Sequence, residues 1–130
     1  MSGLPIEPEG LPPARGFSHG YVSDGRLVHV AGETGHHADM TLDQGFVAQF
    51  AQACRNVVAV VTAAGGAATD VVSMTIFTTD VPSYRDNLGE VGEAYREVFG
   101  RHFPAMALIG VTELVDIDAV VEITAVAALD

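Results

Sequence analysis

Glu122 is the residue whose surroundings ask most of it chemically. It is one carboxylate inside the otherwise apolar run Val120-Val121-Glu122-Ile123, where a buried, unpaired charge would cost several kcal/mol. Such a group pairs with another, stays protonated, or faces a wet cavity. Its structural role would be a hydrogen bond to backbone or to an Arg across a subunit contact, and its chemical role would be to position or activate water. The histidines form no metal pattern. His36 and His37 are adjacent and diverge, no H-x-x-x-H occurs, and His29 and Asp39 would join them only through the fold. No metal and no cofactor is expected. Ser18 and His19 are neighbours whose side chains diverge along a strand, so they cannot act as nucleophile and base. Cys54 is the single cysteine, which excludes an intrachain disulfide and reads as a small buried hydrophobe. G-x-S-x-G, Walker and G-x-G-x-x-G motifs are absent.

The elements that must hold these residues follow from periodicity. Residues 1–15 carry Pro5, Pro8, Pro12 and Pro13 and read as an extended N-terminal segment. Phe17–Val22 and Leu27–Ala31 flank Asp24-Gly25 and predict a β-hairpin. Gly32–Met40 reads as a loop. A helix is expected from Thr41, with Thr41 and Gln44 as a capping box and a stripe through Phe46, Phe50, Ala53, Val57 and Val61, ending at Gly65-Gly66. Val71–Thr79 alternates as a strand. A second helix opens at Asp80-Val81-Pro82 and runs to Gly100, with Gly89 and Gly92 in it as possible points of close backbone approach. Ala105–Val111 and Val120–Ala128 are two further strands. The order β-β-α-β-α-β-β predicts an α+β domain, a mixed sheet with two helices on one face. The last strand is apolar on both faces, so the uncovered side of the sheet is expected to meet another copy.

Charge sets the limits on partners. The 130 residues hold 17 Asp and Glu against six Arg, no Lys and a formal net charge of -11. That field repels phosphate backbones and anionic lipids, so neither nucleic acid nor membrane is an expected partner. An anionic ligand would need a local positive device. With no basic, apolar leader visible, the expectation is a soluble, cytoplasmic protein.

The ordered segments Gly16-Phe17-Ser18-His19, Val30-Ala31-Gly32-Glu33, Cys54-Arg55-Asn56-Val57, Phe77-Thr78-Thr79-Asp80, Phe103-Pro104-Ala105 and Val121-Glu122-Ile123 resemble the RidA (YjgF) family, and the likeness runs from Gly16 to Ala128. The resemblance implies a single domain over residues 16–130 with a chorismate-mutase-like fold, assembled as a homotrimer with small-molecule clefts between subunits. It also implies cofactor-free hydrolysis of reactive enamines and imines. Glu122 fits the family's water-positioning Glu and Gly32 the strand-end Gly. Phe17 and Ser18 fall at the family's aromatic pocket position, and the backbone of Ala107 and Leu108 at its substrate-holding amides. Met106 stands where the family's carboxylate-binding Arg belongs. Loss of that charged contact costs about 2–5 kcal/mol of binding. Arg15 and Arg101 flank matching segments as possible substitutes. The resemblance therefore implies a deaminase of altered specificity, for a neutral or bulkier substrate, in which 2-aminoacrylate is a poor one. The alternative is a trimer that binds a ligand without turning it over. A ribonuclease activity, another description attached to this family, is disfavoured by the charge, by the absence of Lys and by the lack of a paired acid and base.

Overall fold

The computed structural model describes residues 3–130. Its central feature is a four-stranded sheet in the order β3-β6-β4-β5. These strands are β3 (Arg26–Thr34), β4 (Val71–Thr78), β5 (Ala105–Gly110) and β6 (Val121–Leu129). β6 runs antiparallel to both neighbours, and β4 and β5 are parallel. Parallel neighbours require a crossover, supplied here by α2 (Val81–Asp86) and α3 (Leu88–Phe99). With α1 (Phe46–Ala63) these helices form one layer, and the core lies between it and one face of the sheet.

The alternation of β6 decides which face that is. Val121, Ile123, Ala125 and Ala127 are buried in the core, and Glu122, Thr124 and Val126 point the other way, half-buried. Ser73, Thr75 and Phe77 of β4 share their side. The uncovered face is thus a mixed Ser/Thr/Val/Phe surface rather than the wholly apolar one expected. α1 meets the sheet through Phe50, Ala53, Val57 and Val61, each at most 2% exposed. Full burial of such a side chain contributes about 1.5–3 kcal/mol for Val or Phe. By length and hydropathy alone α1 could also cross a bilayer, but this stripe is committed to the sheet.

Four local expectations are corrected. Residues Gly20–Ser23 form β2, but it pairs with β1 (Gly3–Ile6) and not with β3, so no hairpin forms across Asp24-Gly25. Gly25 does take a positive φ of 100°, and a β-carbon there would collide with the Leu129 carbonyl as β6 ends. β3 continues through Gly32 to Thr34, so the loop begins later than expected. α1 starts at Phe46 rather than Thr41. The Thr41 hydroxyl donates to Asp39 Oδ1 at 2.7 Å, and Leu42 bridges His36, which keeps the chain extended there. The second helix is two, broken at Asn87, whose side-chain amide donates to the Ser83 carbonyl at 2.7 Å. Asn and Asp side chains compete with helix continuation in this way.

The other ends behave as their residues dictate. Gly66 N–H donates to Val61 O and Gly65 N–H to Thr62 O, with Gly65 at φ 96°, which is a Schellman close to α1. Asp80 caps α2 through the Ser83 N–H at 3.1 Å.

One buried polar side chain ties the layers together. Gln49 is 3% exposed. Its amide nitrogen donates to the Asp43 and Asp118 carbonyls at 3.0 and 3.2 Å, and its oxygen accepts the Val120 N–H at 2.9 Å. An apolar residue of the same size would strand all three backbone groups. We expect Gln49→Leu to lower the unfolding free energy by about 2–4 kcal/mol, read from urea midpoints at constant slope. Stability within 0.5 kcal/mol (about the scatter of a neutral surface change) would contradict this role.

Candidate functional site

The site residues expected from sequence separate into two groups. Phe17, Met106, Ala107 and Leu108 line one cavity of about 400 Å³ between β5, α3 and the approach to β2, together with Arg15 and Arg96. Met106 stands opposite Met74 and Leu108 opposite Ile76, both buried, so these two side chains point to the helix side of the sheet. Tyr95 and Phe103 form an aromatic wall, their rings stacked 5.5 Å apart. The Tyr95 hydroxyl donates to the His102 carbonyl at 2.5 Å, and burial pushes its phenol above the ordinary tyrosine range.

Ser18 does not offer its hydroxyl to this cavity. Its Oγ donates to the Phe103 carbonyl at 2.5 Å and its N–H to Pro104 O at 3.0 Å, forming a bridge beside Ala105. Ser18 thereby fixes Phe17 near Met106. β5 is a sheet edge, so beyond that bridge the outward backbone groups of Ala107 and Leu108 have no strand partner among the described residues.

Glu122 and Gly32 lie elsewhere. A β-carbon on Gly32 would run into the Glu122 carboxylate, so the absence of a side chain on β3 gives that carboxylate its place. Glu122 is level with Phe77 on β4, and Phe77 with Ile109 on β5. Met106 and Ile109 are three residues apart, which puts their side chains on opposite faces. At strand spacings of about 4.8 Å and a rise of about 3.3 Å per residue, the Cα atoms of Glu122 and Met106 are roughly 14 Å apart. The candidate residues of one chain therefore form two groups, back to back on opposite faces of the sheet.

The remaining candidates lie elsewhere. His36 Nε2 meets Asp116 Oδ2 at 2.8 Å and His37 Nε2 meets Asp43 Oδ2 at 3.0 Å, so the adjacent histidines face different carboxylates. His102 Nε2 donates to the Val71 carbonyl at 2.6 Å. Cys54 is fully buried, and desolvation pushes its thiol up to about 12, which makes it inert at neutral pH. Arg101 lines a separate groove of about 340 Å³ with His19 and Tyr21. Of the two arginines considered as substitutes, only Arg15 reaches the Met106 cavity.

Comparison with known proteins accounts for this frame. The sequence model of the endoribonuclease L-PSP family matches residues 8–129. The chain belongs to the RidA/YjgF family. It is similar to the RutC family protein UK114 of Drosophila melanogaster, 35% identical over 117 residues that cover 88% of this chain and 80% of that one. Among solved structures it is similar to the Rid-family protein YyfB of Yersinia pestis, with TM-score 0.88 and 30% identity, covering 99% of this chain and 100% of that chain. It is also similar to E. coli TdcF with bound serine, with TM-score 0.70 and 27% identity over 98% and 99% of the two chains. The chorismate-mutase-like α+β fold is common to this family.

Sequence reading missed two features of this RidA/YjgF chain. Arg96 lines the cavity, and its only local mark is the Gly92 one helical turn earlier. Glu33 lies within electrostatic reach of Glu122, a second carboxyl near it that sequence reading did not single out. Burial first, and then the Glu122 charge, raises the Glu33 carboxyl above its ordinary range. A carboxyl whose folded pKa lies above its unfolded value adds most stability below the unfolded value and loses it as pH rises through the folded one. We expect Glu33→Gln to remove that loss. Its urea midpoint, relative to wild type, should move in the variant's favour from about pH 4.5, the ordinary value for Glu, towards neutrality. A difference independent of pH would refute it.

Proposed function

We propose that three copies assemble with small-molecule clefts between them, in which the Glu122 face of one copy completes the Met106 cavity of the next, and that these clefts hydrolyse an imine or enamine. The observation that carries this reading is the back-to-back placement of Gly32 and Glu122 against Phe17, Met106 and Leu108. Two half-sites on opposite faces of one sheet act together when a second copy presents its own. Two nearly fully exposed apolar side chains, Val115 at 104% and Ile117 at 92%, give such assembly further surface.

In the cleft, water adds its oxygen to the imine carbon while the C=N bond opens. Glu122 accepts a proton from that water and returns it to nitrogen, and the carbinolamine collapses to a carbonyl and ammonia. The free edge of β5 at Ala107 and Leu108 would hold the substrate by backbone hydrogen bonds. Met106 shapes preference. It replaces a charge by an apolar, flexible wall, which suits a large hydrophobic body better than a small, highly polar one. The same residue favours a second reading, a trimer that binds such ligands without turnover.

The test is hydrolysis of imines made in situ by an amino-acid oxidase, with semicarbazide as the competing trap. Wild type should act on imines with large apolar side chains. Met106→Arg should shift preference towards small ones, and Glu122→Gln should cost roughly a hundredfold in turnover. Wild-type rates in Glu122→Gln would remove Glu122 from the chemistry. Absence of turnover with every imine, alongside retained ligand binding to a trimer, would select the binding reading.

A further inference from the structure

Within one chain the Met106 cavity carries charge of one sign only. Arg15 and Arg96 line it, and none of the chain's 17 acidic residues does. In a protein of net charge -11 this is the local positive device that an anionic ligand requires. Neither guanidinium has an ion-pair partner among the described residues, so both are available. Arg96 has a built seat. A β-carbon at Gly92 would lie 3.0 Å from its terminal nitrogen, so the guanidinium lies along α3 over the one position in that turn with no side chain. Helical side chains lean towards the N-terminus, which carries Arg96 over Gly92. Both residues line the cavity wall. Gly89, by contrast, faces open space, so the close approach expected at these glycines is made at Gly92 alone, and by a side chain rather than a backbone.

We propose that Arg96, seated over Gly92 and aided by Arg15, is the group that holds the ligand's carboxylate, with the ligand's aromatic or large apolar body against Tyr95, Phe103 and Met106. This rests on the reading of the cavity as the ligand cleft and names the class of molecule it takes. The anion is gripped from the helix side rather than from β5. The carboxylate then sits at the exposed rim and the apolar part inside, an order that suits 2-keto and 2-imino acids with bulky side chains. Arg96 also stands in the last turn of α3, where a cation complements the helix dipole. That role alone predicts a change in stability and none in ligand choice.

The probe is phenylpyruvate, compared by calorimetric titration with its neutral amide. Arg96→Met should weaken phenylpyruvate binding by roughly tenfold or more and leave the amide within twofold. Gly92→Ala keeps the charge but takes the seat. It should raise the melting temperature, since Ala favours a helix over Gly, and still weaken phenylpyruvate several-fold. That opposite movement is one a purely structural role cannot produce. Arg101→Met, in the other groove, should bind as wild type does. The proposal is overturned if Arg96→Met binds phenylpyruvate within twofold of wild type, or if wild type does not bind it or fails to prefer it to the amide. Imine turnover is measured on the same proteins. Turnover in wild type with no Arg96 effect refutes this proposal alone, and an Arg96 effect on binding without turnover refutes the hydrolase reading alone.

Discussion

Side-chain alternation along β6 governs this molecule. Every second residue of the strand is locked into the helix-covered core, so the parity of Val121, Ile123, Ala125 and Ala127 is fixed by the hydrophobic effect. That leaves Glu122 on the uncovered side, and the registers through β4 leave Met106 and Leu108 on the covered one. A one-residue slip would bury the carboxylate among Val57 and Phe50 and expose the core strand. The face on which Glu122 stands is therefore a by-product of core packing.

The residues show why part of this was legible in the sequence. α1's stripe, the Gly65 close, the Asp80 cap and the four strands of the sheet are local patterns, and local patterns survive folding. The hairpin across Asp24-Gly25 failed because a turn signal does not say which strand its flanks will join. The N-terminal Gly3–Ile6 took the partner that β3 was expected to be. Thr41 failed as a helix cap because Asp39, two residues earlier, captured its hydroxyl. Gln49 was invisible because its partners, Asp43, Asp118 and Val120, are brought together only by the tertiary fold. Among the site residues, Glu122 and Gly32 are adjacent, and Phe17 and Met106 share a cavity. That these two pairs lie on opposite sides of one sheet is a matter of register, which a sequence does not display.

Arg96 illustrates a different kind of loss and gain. On the resemblance, Met106 takes the place of a β-strand cation in the RidA/YjgF cleft, and in the proposed reading a helix cation, Arg96, and the empty position beneath it at Gly92 stand in for it 10 and 14 residues earlier in the chain. Moving a charge from a strand to a facing helix keeps the sign of the cavity but changes the direction from which an anion is met. A cavity can in this way retain its chemistry and lose its old selectivity without any change in fold.

The segment between β5 and β6 has a property that bears on how fast copies would find each other in the proposed trimer. Val115 and Ile117 project almost wholly into solvent, yet the backbone that carries them is pinned by His36 on Asp116 and by Gln49 on the Asp118 carbonyl. Most exposed apolar tips are floppy and must be ordered during association. This one is held in shape beforehand, so an encounter need wait for no rearrangement of that segment. In the proposed assembly, success would then depend on collision frequency and orientation, so its onset would follow protein concentration rather than loop motion.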